Sequence, residues 1–110
     1  MKKFLSLLLM LIFVSSVAYG QSSSYYYEKA KDCQRNYEYY LAKSQEAAKW
    51  AASYRESAQN ASTSTGARDF MYTAQQYEKT SREHYERAMN YAREAEKYKR
   101  QADNLARQGR

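Results

Sequence analysis

The sequence predicts an all-α fold: an antiparallel two-helix hairpin with a coiled-coil-like seam of alanine and tyrosine, completed by oligomerisation into a helical bundle. The first observation behind this is the absence of breakers. There is no proline, and the three glycines are Gly20, Gly66 and Gly109, so two long stretches rich in Ala, Glu, Lys, Arg and Gln run without interruption. The second is a single break between them, NASTSTGAR at residues 60–68, whose Ser, Thr and Gly content favours a turn. The third is spacing. Apolar and small residues recur by alternating steps of four and three in both stretches, which places them on one side of a helix.

The chain begins with MKKFLSLLLMLIFVSSVAYG, which reads as a secretory signal. Lys2 and Lys3 precede an uncharged, largely apolar run from Phe4 to Val17, and Ala18 and Gly20 are the small residues that suit cleavage after Gly20. The apolar run is shorter than the roughly 20 residues a membrane-crossing helix needs. Gln21 would follow that cut rather than a cysteine, so a lipid-anchored product is not expected. The expected organisation is a cleaved segment, 1–20, and one helical hairpin domain, 21–110.

The first helix is expected over about 25–60, with Ser24 as its cap and Glu28 near its start. Its seam runs Tyr26, Ala30, Cys33, Tyr37, Tyr40, Ser44, Ala47, Ala51, Tyr54 and Ala58. A loop over about 61–66 follows, with Thr63 or Thr65 as the cap of the second helix and Asp69 in its first turn. The second helix is expected over about 67–108. On it Ala74, Ser81, Ala88, Ala95 and Ala102 hold one seam position, and Phe70, Tyr77, His84, Tyr91, Tyr98 and Leu105 hold the other. Small residues let two backbones come close, while a tyrosine ring lies over the gap with its hydroxyl at the edge. Glu78 and Arg82, Glu83 and Arg87, Glu96 and Arg100, and Asp103 and Arg107 are acid-first pairs four apart, worth about 0.2 to 0.5 kcal/mol each.

Tyr27, Leu41 and Ala48 on the first helix, and Met71, Tyr85, Ala92 and Ala106 on the second, add a third apolar position to each seven. Stripes of that width suit a bundle better than a two-stranded seam, and a hairpin of this size usually needs a partner. The expected partner is therefore another copy of the chain or a second envelope protein. Leu41, Trp50, Met71 and Tyr85, apolar groups flanking the seam, are the candidate partner contacts.

Charge and chemistry narrow the function. The formal charge of +6 falls to +4 once Lys2 and Lys3 leave with the signal, which, with export, argues against a nucleic-acid partner. That +4 is the balance of Lys97, Lys99, Arg100, Arg107 and Arg110 against Asp103. These cations suit the negative end of a helix dipole, and they are also the candidate contact for an anionic surface. Cys33 is the only cysteine, so it either hides in the core or forms a disulfide between chains. His84 sits on the other helix. In a hairpin closing around residue 64, Cys33 faces about residue 95, which sets the two some 16 Å apart along the axis, too far for a nucleophilic pair.

No zincin, CxxC, nucleophile-elbow or phosphate-loop pattern occurs, and no catalytic, metal-binding or cofactor-binding residues are expected. Most tyrosines fall on the seam, with Tyr25, Tyr39 and Tyr72 pointing away, which favours packing over a nucleobase- or glycan-stacking surface. Asn60-Ala61-Ser62 is a formal glycosylation sequon, relevant only to a eukaryotic secretory route, whereas the short Lys-Lys signal favours a bacterial envelope. The expectation is an exported, periplasmic or secreted, non-enzymatic protein that works by protein–protein contact. It would be a self-assembling cell-envelope component or an adaptor of an envelope machine of the secretion or conjugation type. The alternative is a module that binds anionic lipid or lipopolysaccharide weakly through its basic C-terminal helix end.

Overall fold

The computed structural model describes residues 22–110, and the expected signal, 1–20, lies outside them. The described residues form two helices and no strand: α1, Ser23–Gln59, and α2, Ser64–Arg107. With 37 and 44 residues they are about 55 and 66 Å long at 1.5 Å per residue. They lie antiparallel, as contacts between Tyr26 and Tyr98 near one end and Tyr54 and Tyr77 near the other require. Neither helix is long and apolar enough to cross a membrane.

Both helices start earlier than expected, because an earlier side chain takes the capping role. Ser22, not Ser24, caps α1, its hydroxyl accepting the Tyr25 N–H at 3.4 Å. Thr63 caps α2 through the Gly66 N–H at 3.0 Å, so Ser64, Thr65 and Gly66 are the first helical turn and the linker shrinks to residues 60–63. A side chain on Gly66 would set its Cβ 2.9 Å from the Thr63 Oγ1, so this glycine makes room for the cap rather than marking a loop. Asp69 consequently falls in the second turn, and neither helix has an acidic residue in its first.

The other end closes by a backbone motif. Gly109, at φ 74°, donates to the Ala106 carbonyl at 3.1 Å, and Arg110 donates to the Leu105 carbonyl at 2.9 Å. This six-to-one and five-to-two pairing needs the left-handed residue that glycine supplies. The Arg110 carbonyl then accepts the Ser23 N–H at 3.1 Å, so the end of α2 satisfies one of the free donors at the start of α1.

The helices meet along small residues. Among the described residues, Cys33, Ser44, Ala47, Ala51 and Ala58 of α1 and Ala74, Ala88, Ala95 and Ala102 of α2 are buried, and no large side chain is fully enclosed. The backbones come close at mid-length. Ser44 donates to the Ser81 carbonyl at 2.9 Å and Ser81 donates to the Ser44 carbonyl at 2.8 Å, an exchange possible only where nothing bulky separates the backbones. This pair also sets the register. Its midpoint, between residues 62 and 63, lies close to the expected 64, and the Cys33 Sγ, 3.9 Å from the Glu94 Oε2, stands opposite about the expected residue 95.

Candidate interaction surface

The seam leaves the hairpin with two unlike flanks. One is a ladder of rings. Tyr26 stacks on Tyr98 with centroids 6.1 Å apart, Tyr40 stacks on Tyr91 at 5.6 Å and His84 at 5.9 Å, and Tyr54 contacts Tyr77 at 5.6 Å and Phe70 at 6.2 Å. On α1 the rings Tyr26, Tyr40 and Tyr54 alternate every seven residues with the small Cys33 and Ala47, while α2 carries a ring at every one of its matching positions from Phe70 to Tyr98. Rings from α2 therefore close over rings of α1. The 14-residue recurrence of tyrosine in α1 was the sequence signal for this stacking. Because these rings turn their faces to one another, they offer a ligand mainly edges, which disfavours stacking of a base or sugar.

The titratable groups of this flank are engaged in packing. Cys33 is 8% exposed, with its Sγ 3.9 Å from the Glu94 Oε2. Burial first, then the Glu94 and Asp32 carboxylates, push its thiol up from the usual 9.0 and disfavour the reactive thiolate. A disulfide with a second chain would require the helices to part at this point. His84 lies flat on Tyr40, with its Nδ1 enclosed and without a hydrogen-bond partner among the described residues. Arg87 covers Tyr40, its guanidinium 5.6 Å from the ring centroid. No group of three His, Cys, Asp or Glu that could hold a metal occurs among the described residues.

The second flank follows the small-residue row. At the open end the Tyr27 hydroxyl donates to the Asp103 Oδ1 at 2.6 Å, and this bond, with the carboxylate's charge, raises the Tyr27 pKa. Toward the linker Arg55 pairs with Glu78 across the helices. Between these ties lie two shallow grooves. One, of about 770 Å³, includes Ala30, Gln34, Ala92 and Ala95, and the other, of about 360 Å³, includes Ala48, Ala52, Glu78 and Arg82.

Leu41 stands one heptad from Gln34 and Ala48, and Tyr85 one heptad from Glu78 and Ala92, so both sit between the two grooves. Met71, one heptad before Glu78, ends the same line. Of the four predicted partner contacts the fold thus gathers Leu41, Met71 and Tyr85 on one flank. Met71 and Tyr85 are exposed and Leu41 is half-buried. Trp50 falls on the ring flank instead, 6.3 Å from Tyr77, and is 49% exposed.

Lys97, Lys99, Arg100, Arg107 and Arg110 are all exposed, and Arg100 and Arg107, one heptad apart, share a face. Arg100 is held by Glu96 at 2.7 Å. Folding makes them part of a pole. The open half of the hairpin, 22–44 with 85–110, holds 11 Lys and Arg against 7 Asp and Glu, whereas the linker half, 45–84, holds 5 of each. The whole +4 therefore belongs to one end. Comparison of the chain with protein-family models, curated proteins and solved structures finds no match in any of the three.

Proposed function

We propose that the protein is an exported, non-enzymatic component of the bacterial cell envelope that acts by protein–protein contact, assembling with itself or serving as an adaptor in a larger envelope machine of the secretion or conjugation type. One observation carries this reading. Every buried side chain is small, while Tyr25, Tyr27, Tyr39, Trp50, Phe70, Met71, Tyr72 and Tyr85 are all exposed. Removing apolar area from water is worth about 25 cal/mol per Å², and the hairpin leaves its largest apolar groups outside that gain. A second hairpin laid on it would complete a bundle around the coiled-coil-like seam. The non-enzymatic part of the reading is supported by the use already made of the reactive groups: Cys33 faces Glu94, His84 stacks on Tyr40 and Tyr27 holds Asp103.

Light scattering on the protein as its host processes it tests self-assembly, with a dimer or larger species expected at tens of micromolar. A strict monomer there removes the self-assembling version. Pull-down from the native envelope tests the adaptor version, which a clean preparation without a stoichiometric partner removes. The cationic pole favours a second reading, a weak contact between the open end and anionic lipid or lipopolysaccharide. Binding to anionic vesicles at low salt that disappears at high salt is its signature, and absence of binding at low salt eliminates it.

A further inference from the structure

We infer that the ring flank, which carries Tyr39 and Trp50, is the surface on which a second copy docks, antiparallel and face to face, about a two-fold axis lying in the contact plane and crossing both helices. The inference rests on the self-association proposed above and adds the surface, the symmetry and the force that orients it.

Charge supplies the argument. Residues one before and three after each ring position turn to the same side of their helix as the ring. Trp50 against Tyr77 and Arg87 over Tyr40 show this directly. In the open half of the hairpin these positions hold Lys29, Lys43, Arg87 and Lys97 against Asp32 and Glu94. In the linker half they hold Glu46, Asp69 and Glu83, with no Lys or Arg. All of these side chains are exposed. The flank is therefore cationic toward one end and acidic toward the other, although the linker half taken whole is neutral. Such a surface becomes complementary to itself once its ends are exchanged.

A two-fold axis in the contact plane, square to the rods, makes that exchange and lays α1 on α1 and α2 on α2. The other two-fold arrangement with aligned rods, a rotation about the rod direction, sets cationic half on cationic half. Glu83 and Arg87 fix where the axis crosses. They stand four residues apart on α2, so an axis at residue 85 sets each Glu83 against Arg87 of the second copy. Residue 85 is also about the middle of α2, and by the Ser44 and Ser81 exchange it lies level with about residue 40, near the middle of α1. The copies thus overlap along nearly their whole length. Tyr39, 56% exposed, comes within reach of its counterpart beside the axis, and Trp50, level with about residue 30 of the second copy, reaches Lys29 there. A face about 55 Å long and two helices, or about 20 Å, wide offers roughly 1,000 Å² per copy, within the range of stable dimers.

The test is a charge exchange on the protein as its host processes it, with circular dichroism checking that each variant keeps its helices. Glu83→Arg and Arg87→Glu each set two like-charged pairs against each other and should raise the dimer dissociation constant at least tenfold, while the double change should restore it. In a Cys33→Ser background, a spin label on Ser62→Cys should report about 65 Å between copies, since the linkers lie at opposite ends. Dimers indifferent to either single change, a double change that does not restore them, or labels about 20 Å apart overturn the interface while leaving self-association standing. A monomeric wild type overturns both.

Discussion

Tyr39 and Tyr40 are neighbours in sequence with opposite surroundings, so truncating each in turn separates packing from composition. Tyr40 is half-buried, stacked on Tyr91 and His84, and covered by Arg87. Each ring stack contributes about 1 kcal/mol. The guanidinium adds about 0.5 kcal/mol. The half-buried ring contributes about 1 kcal/mol more from apolar area. Alanine's better helix propensity returns about 0.5 kcal/mol. Tyr40→Ala should therefore cost about 3 kcal/mol. Tyr39 is 56% exposed and touches only the Tyr40 edge and Lys43, so Tyr39→Ala should cost about 0.5 kcal/mol or less. Urea unfolding followed by far-ultraviolet circular dichroism, at one fixed protein concentration, reads both. Tyr40→Phe is the control and should remain close to wild type, since the ring carries the effect. Equal losses at Tyr39 and Tyr40, or a Phe control as damaging as alanine, would refute the ring ladder as a source of stability.

Three further outcomes follow from single sites. Ala88→Leu inserts a branched side chain where the residue is 0% exposed against α1, and should lower stability by about 1 to 3 kcal/mol in the same urea assay; a gain would mean the helices do not approach closely there. His84→Phe keeps the stack on Tyr40 and removes the enclosed Nδ1, so it should stabilise by about 1 kcal/mol, and a loss would show that this nitrogen has a partner. Folding raises the Cys33 pKa above its ordinary 9.0 and so favours the thiol. That contribution to stability is complete below 9.0 and is lost as pH climbs through the folded value. Iodoacetamide should accordingly alkylate the folded protein more slowly than the urea-unfolded one, with Glu94→Gln speeding the folded reaction, whereas equal folded and unfolded rates would contradict the burial.

Particular residues show where sequence reasoning reached and where it stopped. The cap of α2 was legible only as Thr63 or Thr65, and the structure selects Thr63, whose Oγ1 receives the N–H of Gly66, where a side chain would crowd it. Ser22 was not, since three serines in a row give local propensity no means of choosing among them. The acid-first pairs fared unevenly for a related reason. Glu96 does hold Arg100, at a site facing solvent. Glu78, however, takes Arg55 from the opposite helix, Asp103 takes the Tyr27 hydroxyl, and Arg87 covers Tyr40. An intrahelical pair worth a few tenths of a kcal/mol yields readily to a partner that another helix brings within reach.

By itself, then, the sequence determined two helices, one break, and which residues each helix turns toward the other, because periodicity fixes a side chain's angle about the helix axis. It did not determine the sliding position of one helix along the other. That needed the Ser44 and Ser81 exchange and the stacking of Tyr40 on both His84 and Tyr91, contacts between residues far apart in the chain. Helical phase alone sets Leu41 and Trp50 on opposite sides of α1, whereas the antiparallel pairing of the helices joins Leu41 to Met71 and Tyr85 and makes the basic C-terminus part of one pole. A heptad pattern repeats identically at every step of seven, so it leaves several alignments equally good until the tertiary contacts select one.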